Sequence, residues 1–133
     1  MLIVAMWKLP IHRGIVRRRT WLPQDISKSL IPGAEFSDPA FMSTTRNKPT
    51  GSEGDFFAKL LGNHVFIIRS KRGRVAKEFS QFPHEDEVLF LPGTKFRVED
   101  VWVEMQTIPS ASEQYYHMVF RPRKVKVVFM REI

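Results

Sequence analysis

The amino-acid sequence predicts an α+β fold with two packed β-sheets and a few short helices. Three observations lead there. Strand-like runs rich in β-branched and aromatic residues outnumber helical ones, Pro and Gly interrupt them at short intervals, and 43% of the residues are apolar, enough to build a core. A chain of 133 residues fits one domain, 1–133, and no repeat or low-complexity linker divides it.

Taken in order, strands are predicted near residues 2–7, 11–16, 40–44, 65–70, 87–91, 96–107, 116–121 and 125–131. The clearest helix covers 53–61. Ser52 is its candidate N-cap with Asp55 three residues on, Phe56, Phe57, Leu60 and Leu61 form an apolar stripe, and Gly62 can end it. A weaker helix covers 24–30, ahead of Pro32-Gly33. Lys71-Arg72-Gly73-Arg74 reads as a hairpin tip, and Pro92-Gly93 fits the central pair of a type II turn.

Composition narrows the chemistry. The chain has no cysteine, which excludes disulfides, thiolate metal sites and cysteine nucleophiles. His12, His64, His84 and His117 show no metal-ligand spacing, so no metal is expected, and there is no Gly-rich phosphate loop. The apolar start, 1–7, is followed rather than preceded by Lys8, the reverse of a signal peptide's order, and no stretch approaches the ~20 apolar residues of a membrane span. A soluble protein without a membrane partner is expected. The net charge of +7 gathers at Arg17-Arg18-Arg19, Lys71-Arg72-Gly73-Arg74 and 121–126. It favours encounter with nucleic acid, acidic proteins or the phosphates of a dinucleotide, and it also suits solvated turns and strand faces.

The most informative segment is Phe82-Pro83-His84-Glu85-Asp86-Glu87, followed by Val88-Leu89-Phe90-Leu91-Pro92-Gly93. Strand alternation would let Glu85 and Glu87 project into one cleft while Asp86 points away. Two carboxylates in one cleft suit glycosyl transfer, where a cationic sugar transition state needs negative charge nearby and the incoming group needs a base. Upstream, Arg13-Gly14 ends one apolar stretch and Ser43-Thr44-Thr45 ends another.

In that order, Arg13, Ser43-Thr44-Thr45 and Glu85-x-Glu87 closely resemble the Arg-Ser-Glu class of mono-ADP-ribosyltransferases, which includes many bacterial toxins and effectors. The resemblance runs over about residues 11–98. It implies a split sandwich of two antiparallel sheets with NAD, as substrate, in the cleft between them. It implies that Arg13, backed by Gly14, holds the pyrophosphate, and that Ser43 positions the catalytic glutamate, Glu87. Thr44 would support the strand and the nicotinamide side, and Thr45 stands where many relatives have Ser. Glu85 would activate the acceptor, and a glutamate at that place goes with arginine. Phe56 or Phe57 would wall the nicotinamide, and Phe82, in the loop before the glutamates, would meet the acceptor.

The resemblance therefore implies an NAD-dependent transferase of ADP-ribose to arginine of a target protein. With only twelve residues before Arg13, the chain reads as the C-terminal toxin module of a larger effector that is delivered into the cytoplasm of a target cell. Such a module is expected to travel with an immunity protein that plugs the NAD cleft. Two other readings stand beside it. The same chemistry could take RNA as acceptor, as the charge suggests, or the chain could be a non-enzymatic basic nucleic-acid-binding module.

Overall fold

The strands Ile11–Thr20, His64–Val75 and Lys95–Ala111 run longer than the sequence suggests, the segments expected at 116–121 and 125–131 join into one strand, Met118–Glu132, and a short strand at Glu35–Ser37 is added. A computed structural model describes residues 6–46, 62–76, 86–111 and 118–133, with backbone alone at 107–111 and 118–121. Its elements are β1 (Ile11–Thr20), α1 (Gln24–Ser29), β2 (Glu35–Ser37), β3 (Met42–Thr45), β4 (His64–Val75), β5 (Glu87–Phe90), β6 (Lys95–Ala111) and β7 (Met118–Glu132). Helix 53–61 lies outside the described residues, as does 2–5. Met6–Leu9 forms a turn instead of continuing a strand, closed by the bond from Leu9 N–H to the Met6 carbonyl.

The strands form two packed sheets joined at shared strands. One runs β1-β4-β7-β6-β2. The other consists of the short pair β3-β5, attached to β1 through Arg17 and Thr45 and to the end of β4 through Arg74 and Val75. Every pairing is antiparallel except β4 with β7, which is parallel. Val16, Met42, Phe66, Ile68, Val88, Phe90, Phe96, Val98, Val128 and Met130 fill the core between the sheets. Phe90 of β5 meets Phe96 of β6 edge to face at 5.0 Å, so aromatic packing ties the small sheet to the large one.

Lys71-Arg72-Gly73-Arg74 is not a hairpin tip. β4 continues through it, across a bulge in its pairing with β1. Register slips between His12 and Gly14, so Arg13 stands opposite two β4 residues, Lys71 and Arg72. Their N–H groups both donate to Oε1 of buried Glu132, at 2.8 and 2.7 Å. Ser70 Oγ donates to the His12 carbonyl (2.7 Å) and accepts from Gly73 N–H (3.1 Å). Gly73 then lets β4 approach β5: a Cβ there would lie 2.6 Å from Val88 Cγ1 and 2.7 Å from Ser70 Oγ. The bend carries β4 from the large sheet to the small one.

The turn expected at Pro92-Gly93 is present, with Thr94 N–H bonded to the Leu91 carbonyl, and a second Pro-Gly turn has Ala34 N–H bonded to the Ile31 carbonyl, Gly93 and Gly33 both at positive φ. α1 buries none of its residues. It is held by polar groups: Ser27 Oγ lies 2.8 Å from His64 Nε2, and Lys126 Nζ donates to the Ser27 carbonyl at 2.5 Å.

Candidate active site

β3 and β5 carry the two residues on which the resemblance chiefly rests. Their register pairs Met42 with Phe90, Ser43 with Leu89, Thr44 with Val88 and Thr45 with Glu87. Side chains opposite one another in an antiparallel pair share a face, and diagonal neighbours on that face are within reach. Ser43, Thr45, Glu87 and Leu89 therefore line one face, and Ser43 Oγ donates to Glu87 Oε2. Both residues are half-buried. Thr44 is on the other face, 4% exposed, with its hydroxyl donating to the Val88 carbonyl at 2.8 Å. Thr44 thus laces β3 to β5 from the core side.

The basic run of β1 supports the same strands. Arg18 Nη1 donates to the Ser43 carbonyl at 2.8 Å, linking β1 to β3 just where Ser43 reaches Glu87. Burial lowers the Arg18 guanidinium below its ordinary range, and Asp38 offsets part of that. Arg19 bonds the Gly62 carbonyl and Gln106 Oε1, and burial lowers it too. Two of the three arginines are thus structural props rather than a solvated cluster.

Arg13 is exposed on β1, and among the described residues it makes no ion pair or side-chain hydrogen bond. Two routes link the chain around Arg13 to β5 through the intervening strands β4 and β3. Pro10 accepts from Val75 N–H, and Val75 pairs with Val88; Arg17 pairs with Thr45, which pairs with Glu87. Arg13 thus lies on the stretch of β1 between those two points. Gly14, at φ 145°, has the His12 ring against it: a Cβ there would come within 3.3 Å of His12 Nε2.

Glu85, Phe56, Phe57 and Phe82 lie outside the described residues. β5 begins at Glu87, and Asp86 before it has φ 54°, the left-handed region. Asp86 is not an idle charge. Arg46 Nε donates to Asp86 Oδ2 at 2.8 Å, Nη2 meets Oδ1, and Arg46 N–H bonds the Asp86 carbonyl. Sequence reasoning passed over Arg18, Arg46 and Asp86. The available signal was that opposite charges stand immediately outside the hydroxyl triplet and the second glutamate.

Arg13, on β1, has no partner among the described residues, and a hydroxyl–carboxylate pair such as Ser43–Glu87 offers fixed negative charge at a strand end. Such a pair can favour a cation that develops as a glycosidic bond breaks. Among the described residues no group of three or more His, Asp or Glu is placed to hold a metal, and no helix is long and apolar enough to cross a membrane.

The chain is similar to several known proteins. No family model matches the chain. A protein of Mycobacterium avium named as an NAD(+)–arginine ADP-ribosyltransferase, Mav, is 39% identical over 103 residues, 77% of this chain and 12% of that protein. The NAD(+)–protein-arginine ADP-ribosyltransferase Tre1 of Serratia proteamaculans is 34% identical over 91 residues, 68% of this chain and 18% of that protein. The chain therefore spans less than a fifth of either relative. Among solved structures, the type III effector XopAI of Xanthomonas axonopodis pv. citri superposes with a TM-score of 0.66 at 22% identity, over 99% of this chain and 50% of that one. By its likeness to the two relatives Mav and Tre1, the chain belongs to the Arg-Ser-Glu class of ADP-ribosyltransferases.

Proposed function

We propose that residues 1–133 act as one catalytic domain that transfers ADP-ribose from NAD to an arginine of a target protein, as a module of a larger effector. The observation that carries this reading is the hydrogen bond from Ser43 to Glu87 across β3 and β5. Arg13 supplies the fork for the pyrophosphate, since a planar guanidinium binds phosphate oxygens bidentately. Glu87 stands by the nicotinamide ribose. As the C1′–N1 bond breaks, its electron pair leaves with neutral nicotinamide, and the fixed Glu87 carboxylate stabilises the positive charge left on the sugar. Glu85 takes the proton released when a guanidinium nitrogen forms the new bond to C1′.

Two observations support a protein acceptor. The relatives Mav and Tre1 are named for arginine, and half of the cations in the clusters that suggested RNA have partners within the protein. Arg18, Arg19, Arg72, Arg74 and Lys126 all donate to carbonyls of this chain. The test is incubation with labelled NAD and either agmatine, a small guanidinium, or cell lysate treated separately with protease and ribonuclease. Label on agmatine and in the protease-sensitive fraction is expected; label in the ribonuclease-sensitive fraction alone would overturn the choice of acceptor.

A further inference from the structure

We infer that the Arg46–Asp86 ion pair is a positioning device for the Glu87 carboxylate, a role that rests on the reading of Glu87 as the catalytic residue. The β3–β5 ladder is only four residues long, and Glu87 is the first residue of β5, at the end where a short strand pair frays. A site carboxylate has to be held within about 0.5 Å of its working position. The Glu87 carbonyl is fixed from one side by Ala76 N–H, at 2.9 Å. On the side toward Asp86, the tether is Arg46. Its N–H extends the ladder by one bond, to the Asp86 carbonyl at 3.2 Å, and its guanidinium grips the Asp86 carboxylate through two nitrogens.

Three features set this pair apart from an ordinary surface ion pair. Each partner is the immediate chain neighbour of a site residue, Arg46 after Thr45 and Asp86 before Glu87. The side chains are only 32% and 20% exposed, so water screens them less than a surface pair. Asp86 is also the one non-glycine residue at positive φ among those described. That conformation stands at the start of β5, and the two-pronged bond to Arg46 holds Asp86 there. The pair has an electrostatic effect as well. Asp86 stands between two other carboxylates, and Arg46 neutralises it and draws it aside, which leaves Glu87 to its bond with Ser43.

The test is a double-mutant cycle in the full chain with Asp86→Asn, Arg46→Gln and the two combined, beside Glu87→Gln. Asn keeps the size of Asp and tolerates the left-handed region, so the turn itself is retained. Nicotinamide release and agmatine modification give kcat and KM for NAD, and thermal unfolding gives Tm. Each single substitution should lower kcat for both reactions about 10- to 100-fold, the cost of a small misplacement at a reacting centre. KM for NAD should stay within about threefold and Tm within a few degrees, and the double variant should be no slower than the slower single one. Wild-type kcat in the singles, multiplied losses in the double, or a loss that follows Tm or KM would overturn the pair's role while an inactive Glu87→Gln leaves the site standing. A fully active Glu87→Gln would remove the site reading itself.

Discussion

Ser43 and Glu87 meet on a diagonal: Ser43 lies opposite Leu89, two residues along β5 from Glu87, and donates to Glu87 Oε2 across that offset. Directly opposite Glu87 is Thr45. The middle hydroxyl, Thr44, is turned to the core and bonds a main-chain carbonyl. Three adjacent hydroxyls are thus divided by strand alternation between the site and the fold.

That division predicts opposite phenotypes for neighbours. Ser43→Ala removes a hydrogen bond to a charged group, worth about 1.5–3 kcal/mol, so kcat for nicotinamide release should fall roughly 10- to 100-fold with little change in Tm. Thr44→Val should do the reverse, costing about 0.5–1.5 kcal/mol of stability through the lost hydroxyl bond to the Val88 carbonyl while kcat in the folded fraction is kept. Paired urea unfolding and steady-state assays would check both.

Arg13→Lys replaces a planar fork with a point charge at an exposed position that has no partner among the described residues. Weaker NAD binding is expected in calorimetric titration, with unchanged thermal stability. Equal affinity would show that Arg13 takes no part in holding the pyrophosphate.

Gly73→Ala places a Cβ 2.6 Å from Val88 Cγ1 and 2.7 Å from Ser70 Oγ. Overpacking at a strand crossing of this kind costs about 1–3 kcal/mol, to be read as a lower urea midpoint at unchanged m-value. The same substitution at Gly33 or Gly93 meets no neighbour within 4 Å and is opposed by positive φ alone.

His64 gives a pH signature. Burial, then Lys126, lowers its pKa below the ordinary 6.5, so the folded protein prefers the neutral ring. On acidification through 6.5 the unfolded chain takes a proton that the folded chain refuses, and stability falls until the lowered folded pKa is reached. Above that window His64 contributes no slope. Urea midpoints between pH 8 and 5 should therefore fall less in His64→Gln than in the wild-type chain.

Much of this architecture was legible in the sequence, and the places where it was not have a common physical cause. Periodicity located β1, β3, β5, β6 and the first half of β4, and Pro92-Gly93 located a turn, because local sterics decide these; β2 was not foreseen, and β7 was read as two strands, 116–121 and 125–131. The ordered arginine, serine and glutamate were legible as a pattern of chain positions. The continuation of β4 through Lys71–Arg74 was not, since it depends on Glu132, which is distant in sequence and supplies the acceptor for two N–H groups. The two arginine props and the Arg46–Asp86 pair were missed for a related reason. A charged residue reads as solvated until its partner in the fold is known.

The most direct measurement is turnover of NAD with agmatine by the wild-type chain and by Glu87→Gln, on preparations of equal Tm. The wild-type chain should release nicotinamide and modify agmatine. The variant should lose both by about 100-fold or more while still binding NAD, because the carboxylate acts mainly as positive charge develops on the sugar. Near-normal turnover by Glu87→Gln, or no NAD cleavage by the wild-type chain with any guanidinium or protein acceptor, would contradict the assignment.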